Sequence, residues 1–321
     1  MIPLFPAAAA TLESMTGTDL SSTAIIVVNF GSHELLEANL VVVSSESPEA
    51  TVVVVDNFIS LEERQHVVHL CLIKGWTSVL LDANVGFGEG VNAGVSAALA
   101  GGVSTLVILN PDAVIHRESV ERLVSRTVDE PMSMVAPIVL DPLGRVWFSG
   151  SDVYMGDGRM GNPRARAENP AREYREWLSG ACLALSSLLW GELKGFDPDY
   201  FLYWEDVDLS FRVVEAGGRL VVERDAEAIH DEGGTHTEVL RGRAKSETYY
   251  YYNIRNRLIY AAKTLDDEHL AKWLRATRRV SYEILLQGGR AQFARPLIPL
   301  RAYLRGTRDG RRFVRDTRPS A

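Results

Sequence analysis

Apolar residues fall in short runs separated by polar turns, and the runs are of two kinds. Ala24 to Asn29 (AIIVVN), Thr51 to Val55 (TVVVV), Ser78 to Leu81 and Thr105 to Leu109 (TLVIL) are largely β-branched and nearly unbroken, as expected of strands buried on both faces. Glu34 to Val43, Leu61 to Lys74 and Gly90 to Ala100 have helical character and lie between them. This alternation predicts an α/β fold, an open and mostly parallel sheet with helices on both faces. Right-handed crossovers would gather the carboxyl ends of the strands on one edge, where ligands bind.

Further along, Met134 to Ala136 and Arg145 to Ser149 read as shorter strands. Tyr154 to Glu173 is rich in Gly, Arg, Pro and Asn and reads as a long, lid-like loop. Trp177 to Leu185 is apolar again, Trp204 to Ala216 is an amphipathic helix closed by Gly217-Gly218, and Leu220 to Glu223 is a late strand. Thr248 to Leu265 and His269 to Leu286 are helical, and an arginine-rich tail follows. Met1 to Ser22 lacks periodicity and reads as a flexible leader, with Met15 as an alternative start. The expected organisation is a leader over 1–23, an α/β domain over 24–235 and a basic helical region over 236–321.

Composition adds a charge asymmetry. The 321 residues carry a net charge of -8, but Met1 to Thr235 sums to -19 and His236 to Ala321 to +11. The acidic part suits a divalent cation. The basic part suits an anionic surface, phospholipid head groups or a diphosphate-linked substrate, with a solvated arginine-rich helix as the alternative. Only Cys71 and Cys182 are present, so neither a disulfide framework nor a cysteine zinc site is expected, and a reducing cytosol fits. Pro3 to Leu12 is apolar without a preceding basic residue, and no run reaches the roughly 18 apolar residues of a spanning helix. The expected location is cytoplasmic, with any membrane contact peripheral. Nucleic acid is not an expected partner, because the core is acidic and the tail lacks interleaved aromatics.

Candidate chemistry collects at the strand ends. Asp56-Asn57 and Asn110-Pro111-Asp112 put carboxylates on the ligand-binding edge, where they can meet a nucleotide or a phosphate-bound metal. Each would serve equally as a turn or helix cap. Asn84 to Asn92 (NVGFGEGVN) is a glycine-rich turn into a helix. It does not match the dinucleotide spacing, and an ordinary loop-to-helix turn explains it as well. Glu205, Asp206 and Asp208 crowd three carboxylates into the first turn of a helix, more than capping needs, and their repulsion suits a general base. The preceding Phe201, Leu202, Tyr203 and Trp204 would wall a sugar cleft. His230 could ligate Mn²⁺ or Mg²⁺ beside carboxylates, or be a plain loop histidine.

In order and spacing, these stretches resemble the family 2 inverting glycosyltransferases of the GT-A type, especially the rhamnosyltransferase-like members of bacterial cell-wall and polysaccharide synthesis. The resemblance rests on Val27-Val28-Asn29-Phe30, Val55-Asp56-Asn57, Asn84-x-Gly86-Phe87-x-x-Gly90-x-Asn92 and Leu109-Asn110-Pro111-Asp112. It continues through Trp177-Leu178-Ser179-Gly180-Ala181, Gly195-Phe196-Asp197, Tyr203-Trp204-Glu205-Asp206-Val207-Asp208-Leu209 and His230, with Tyr252 to Arg257 (YNIRNR) beyond. It implies a GT-A nucleotide-diphospho-sugar transferase fold plus a C-terminal helical region. The implied donor is dTDP-rhamnose or a UDP-sugar, and the implied acceptor a glycan or a polyprenyl-diphosphate-linked sugar. Donor contacts would come from Asn29, Asp56, Asn57, Asn84, Gly86, Asn92, Asn110 and Asp112. Gly180, Ala181 and Trp204 would form the acceptor side. Mg²⁺ or Mn²⁺ would be held by Asp112 and His230, and Asp206 would be the catalytic base with Glu205 beside it. Two positions depart from the pattern: Asn110 replaces the first Asp of the Asp-x-Asp motif, and Phe58 to Glu62 replaces the usual Ser-x-Asp. The competing readings are a nucleotidyltransferase, for which Asn29-Phe30-Gly31-Ser32-His33 lacks a basic residue, and a non-catalytic sugar-binding module, which would not need the Glu205-Asp206-Asp208 cluster.

Overall fold

The computed structural model describes residues 18–231, 245–289, 293 and 296–319. Strands β1 (Thr23–Asn29), β2 (Thr51–Asp56), β3 (Thr77–Leu80) and β4 (Thr105–Leu109) run parallel, β1 pairing with both β2 and β4 and β2 with β3. Asn29 is in register with Asp56, and Val27 with Leu109. The far half of the sheet holds β5 (Ala113–Ile115), β6 (Ser133–Leu140), β7 (Val146–Phe148), β11 (Cys182–Ser186) and β12 (Arg219–His230). The order is β3-β2-β1-β4-β11-β6-β12-β5, with β7 added on β6. Here β11 runs antiparallel to both β4 and β6. A small second sheet, in the order β10-β8-β9, contains β8 (Ser151–Tyr154), β9 (Met160–Gly161) and β10 (Tyr174–Trp177).

The period of two along β1 divides the core. Ile25 and Val27 join one cluster with Val67 and Leu70 of α3 (Leu61–Lys74) and Val120 and Leu123 of α5 (Arg117–Asp129). Ala24, Ile26 and Val28 join the opposite cluster with Val91 and Val95 of α4 (Phe87–Ala100), Leu189 of α6 (Ser187–Leu193) and Leu209 and Val213 of α7 (Glu205–Glu215). Helices thus cover both faces, as the unbroken apolar runs require.

A third cluster joins this body to the C-terminal helices α8 (Glu247–Thr264), α9 (Asp267–Leu286) and α10 (Leu297–Thr317). Trp204 and Val207 pack there with Leu258, Tyr260 and Trp273, the last fully buried. Helix α10 seats on α8 through Ala302, Gly306, Gly310 and Val314, one residue per turn. A Cβ on Gly306 would lie 2.8 Å from the Tyr251 carbonyl oxygen, so only glycine permits this approach.

Several local expectations are corrected. The 34–43 helix is broken into α1 (His33–Leu35), a π-turn (Leu36–Leu40) and α2 (Val41–Glu46). The 154–173 loop carries β9 and a 3₁₀ turn (Pro163–Arg166), fixed where Arg166 grips Asp152 at 2.6 Å and Glu176 at 2.7 Å. The late strand runs on past Glu223 to His230, with a bulge between Glu223 and Glu227 that lets the pairing with β6 resume. The arginine-rich tail is the helix α10. Residues 1–17 of the leader and the 235/236 boundary lie outside the described residues, and residue 23 of the expected leader already belongs to β1.

Trp273→Ala is expected to lower stability by about 3–5 kcal/mol, the range for emptying a buried aromatic site. Equilibrium urea unfolding measures this. A loss below about 1 kcal/mol would mean that the helical region unfolds independently of the sheet.

Candidate active site

The strand ends converge where β11 enters the sheet. Cys182 is opposite Leu109, so the residues just before β11 lie beside those just after β4. The Asn110 amide donates to the Ala181 carbonyl at 3.0 Å. One residue back, the Gly180 amide donates to Asp206 Oδ2 at 3.0 Å. Asn110, two residues before Asp112, and Asp206 are therefore tied to one short backbone segment.

The antiparallel pairing of β5 with β12 sets Ala113 against His230 and brings His230 to Asp112. His230 Nε2 lies 3.0 Å from Asp112 Oδ1, but the ring is not aligned for a hydrogen bond. Asp112 Oδ1 and both ring nitrogens are buried without a hydrogen-bond partner among the described residues. Adjacent ligands of an octahedral cation with bonds of about 2.1 Å stand about 3 Å apart, so the pair fits Mg²⁺ or Mn²⁺. Unpartnered buried atoms of this kind are otherwise unfavourable. Trp147 packs edge-to-face with the imidazole, the ring centroids 4.8 Å apart.

Three carboxylates open α7, and their surroundings separate them. Asp208 is bound by Arg212 at 2.7 Å, and Arg212 also donates to the carbonyls of Leu193 and Gly195. Glu205 is 6% exposed and its Oε2 has no hydrogen-bond partner among the described residues; burial, then the neighbouring Asp206 charge, raises its pKa well above the ordinary value. Asp206 is half-buried and accepts from the Gly180 and Val207 amides. Desolvation nonetheless lifts its pKa to about 6, against those donors. Of the three, Asp206 alone combines partial access with a proton affinity near neutrality.

The loop before α7 is strained, with φ of 65° at Tyr203 and 74° at Trp204. Asn256 of α8 holds it, its side-chain amide donating to the carbonyls of Leu202 (2.9 Å) and Tyr203 (2.8 Å). The expected aromatic sugar wall is corrected here. Trp204 is 3% exposed and packs on Tyr260 and Trp273, while Phe201 stacks on Tyr252. These rings dock the C-terminal helices because α8 and α9 offer apolar partners.

On the other side of the sheet edge, Asp56 is buried and held by Arg64 Nε at 2.6 Å. The Asn57 side chain binds Asn84 Oδ1, the Gly86 carbonyl and the Val85 amide, shaping the turn into α4. Gly86 has φ of 90°, and a Cβ there would stand 2.1 Å from the Phe201 carbonyl oxygen, so the turn abuts the loop before α7. The structure does not bring Asn92 to the strand ends by its amide, which clamps Phe196 through both its N–H and its C=O. Asn29 is fully buried and donates to Glu63 at 2.8 Å. Glu63 also binds His33, and with His66 these form a compact His-Glu-His group, its potential ligand atoms within 4.8 Å of one another. Its one signal in the sequence is Glu63 and His66, three residues apart on one helix.

A cavity of about 360 Å³ lies between the 154–173 segment and α9, and one of about 310 Å³ lies among residues 146–164; neither is lined by Asp112 or Asp206. The second meets the site through Trp147.

No protein-family model matches the chain. Over 172 residues, 46% of the chain, it is 30% identical to the N-acetylglucosaminyl-diphospho-decaprenol L-rhamnosyltransferase of Mycobacterium tuberculosis, and the match spans 56% of that relative's own length. Over 75% of the chain it is 24% identical to the low-salt glycan biosynthesis hexosyltransferase Agl10 of Haloferax volcanii, covering 76% of it. Among solved structures, the mannosyltransferase PcManGT of Pyrobaculum calidifontis, in complex with GDP-Man and Mn²⁺, superposes with a TM-score of 0.53 at 15% identity, covering 94% of this chain and 88% of that one. The chain has the GT-A glycosyltransferase fold.

Folding raises the proton affinity of Glu205 and Asp206, so the stability they contribute is full below their unfolded values and declines as pH rises, for Asp206 from 3.8 through about 6. Asp206→Asn, which cannot ionise, should therefore gain stability relative to the unchanged protein on going from pH of about 4 to about 7.5. Denaturant unfolding at the two pH values checks this, and an equal difference at both would refute the shift.

Proposed function

We propose that the chain transfers a sugar, rhamnose by preference, from a nucleoside-diphosphate donor to an acceptor hydroxyl with inversion at the anomeric carbon. The observation that carries this reading is the hydrogen-bonded path from Asp206 through Gly180 and Ala181 to Asn110, two residues from Asp112. It sets a proton acceptor near a cation-binding pair, which a simple binding module would not need.

In this reading Asp56, Asn57, Asn84 and Gly86 shape the nucleotide side, with Arg64 fixing the Asp56 carboxylate. Asn29 and Asn92 support that side from within through Glu63 and Phe196. Asp112 and His230 hold Mg²⁺ or Mn²⁺, which when bound offsets the negative charge of the leaving diphosphate. Asp206 takes the acceptor hydroxyl proton as that oxygen bonds to the anomeric carbon and the bond to the diphosphate breaks on the opposite side. Burial raises the proton affinity of Glu205 well above the ordinary carboxylate range, which lessens the negative charge it brings beside Asp206. Gly180 and Ala181 line the acceptor side.

The acceptor favoured by the first relative is a polyprenyl-diphosphate-linked sugar, reached from the cytoplasmic face. Among the described residues no helix is long and apolar enough to cross a membrane. Helix α10 turns Leu297, Leu300 and Leu304 outward at its start and Arg308, Arg312 and Arg315 along the rest of the same side, all exposed. Leucines that enter the head-group region and arginines that pair with phosphates suit peripheral binding to anionic lipid.

Asp206→Asn is expected to lower transfer by about 10²–10⁴-fold while changing donor affinity little, and the unchanged enzyme should gain rate as pH rises through about 6. Asp112→Ala should weaken donor binding and abolish its sensitivity to chelator. Steady-state kinetics and calorimetric titration with dTDP-rhamnose and UDP-sugars measure both; near-normal turnover by Asp206→Asn would end the reading. Flotation with anionic liposomes should carry the protein upward at low salt and not at high salt, and Arg308→Glu with Arg312→Glu should reduce it. Salt-independent or absent flotation would refute the membrane contact.

A further inference from the structure

The chain between β6 and β11 forms the insertion β7 to β10, and the cavity of about 310 Å³ lies within it. One wall is Trp147 and Phe148; Ser151, Met160, Asn162 and Arg164 supply much of the rest. The wall is shared with the active site. Trp147 packs edge-to-face with His230, and Phe148 packs on Trp177 with centroids 5.2 Å apart, three residues before Gly180. Its two rings thus contact both sides of the reaction site, the cation pair and the segment that binds Asp206.

The lining has a distinct chemistry. Trp147 is 38% exposed and Met160 40%, so the cavity presents a partly open apolar surface. Asn162 Oδ1 is used by the Arg164 amide, which leaves its side-chain N–H groups as donors. Ser151 donates to the Gly161 carbonyl and keeps its lone pairs as acceptors. The arginines of this loop differ. Arg159 pairs with Asp157 and Arg166 with Asp152 and Glu176, but Arg164, which lines the cavity, is exposed and makes no ion pair among the described residues.

An aromatic face beside amide donors and hydroxyl acceptors matches a pyranose, whose C–H face is apolar and whose rim is hydroxylated. An unpaired guanidinium at the same cavity matches a phosphate. We propose that this cavity is an acceptor subsite for a pyranose whose anomeric substituent carries phosphate, held by stacking on Trp147 and by pairing with Arg164. This rests on the transferase reading above and assigns its acceptor a binding site in the insertion. A lipid-linked glycosyl diphosphate and a free glycosyl phosphate share the chemistry.

Direct binding tests it without turnover. N-acetylglucosamine 1-phosphate, its lipid-linked diphosphate analogue with a short alkyl chain, and neutral octyl N-acetylglucosaminide are titrated by calorimetry into the full chain and into Trp147→Ala, Trp147→Phe and Arg164→Ala. The phosphorylated probes should bind, about tenfold more weakly in Trp147→Ala, with affinity restored in Trp147→Phe. Arg164→Ala should remove the preference over the neutral glycoside. A stronger response to the alkyl diphosphate identifies the lipid-linked source; equal responses identify the free sugar phosphate. Nucleotide-sugar titration with Mn²⁺ on the same variants reports separately on the cation pair behind Trp147. If the phosphorylated sugars do not bind the unchanged protein at millimolar concentration, or bind all variants equally, the subsite is refuted while the transferase reading stands on donor binding and turnover.

Discussion

The antiparallel pairing of β11 with β4 is the constraint on which the site depends. A purely parallel sheet would send β4 into its crossover with its carboxyl end flanked only by other strand ends. Because β11 enters from the opposite direction, the residues just before it, Ser179 to Ala181, lead in beside Asn110. A backbone segment is then present where the loop after β4 turns, with one amide left to orient Asp206. Moving this pairing by one residue would reverse the faces of β11 and break both contacts, so the packing of Leu183 and Leu185 against the helices also fixes the chemistry.

The C-terminal helices belong to the same argument. Two consecutive left-handed residues, Tyr203 and Trp204, are unfavourable for side chains of this size and persist only where the surroundings hold them. Asn256 satisfies the exposed carbonyls, Arg255 donates to the Asp199 carbonyl at 3.0 Å, and Trp204 is buried against Tyr260 and Trp273. The turn that aims Glu205 and Asp206 is therefore built partly by residues some fifty positions later in the chain. The YNIRNR stretch acts as a brace for the active-site helix.

Much of this was legible in the sequence where one local pattern decided the outcome. The strands β1, β2 and β4 are uninterrupted β-branched runs, and their ends located Asn29, Asp56 and Asn110. Legibility failed where tertiary partners decide. Ala226, Ala228 and His230 alternate inward along β12, but the charges at Arg224, Asp225 and Glu227 hid that period and made His230 look like a loop residue. The aromatic run before α7 pointed to an exposed wall, since nothing local says that α8 and α9 will cover it. Small residues at Ala302, Gly306 and Gly310 marked a helix contact that the surrounding arginines obscured. The acidic cluster was visible as a cluster, but its division of roles was not.

That division follows from how each carboxylate is solvated. Three like charges within one helical turn repel, and the N-terminal dipole offsets only a fraction of that. The structure relieves the repulsion by treating the groups differently. Arg212 partly offsets the burial that raises the Asp208 pKa; burial pushes that of Glu205 well above the ordinary value, and its Oε2 meets no hydrogen-bond partner among the described residues; Asp206 keeps two amide donors and some access to water. One group is thereby left with its proton affinity near neutrality, where it can both accept a proton from a hydroxyl and release it to solvent. A positive partner beside Glu205 would lower its proton affinity and strengthen the repulsion on Asp206. Among the described residues Glu205 Oε2 meets no such partner, and this is as much a part of the arrangement as the amides that hold Asp206.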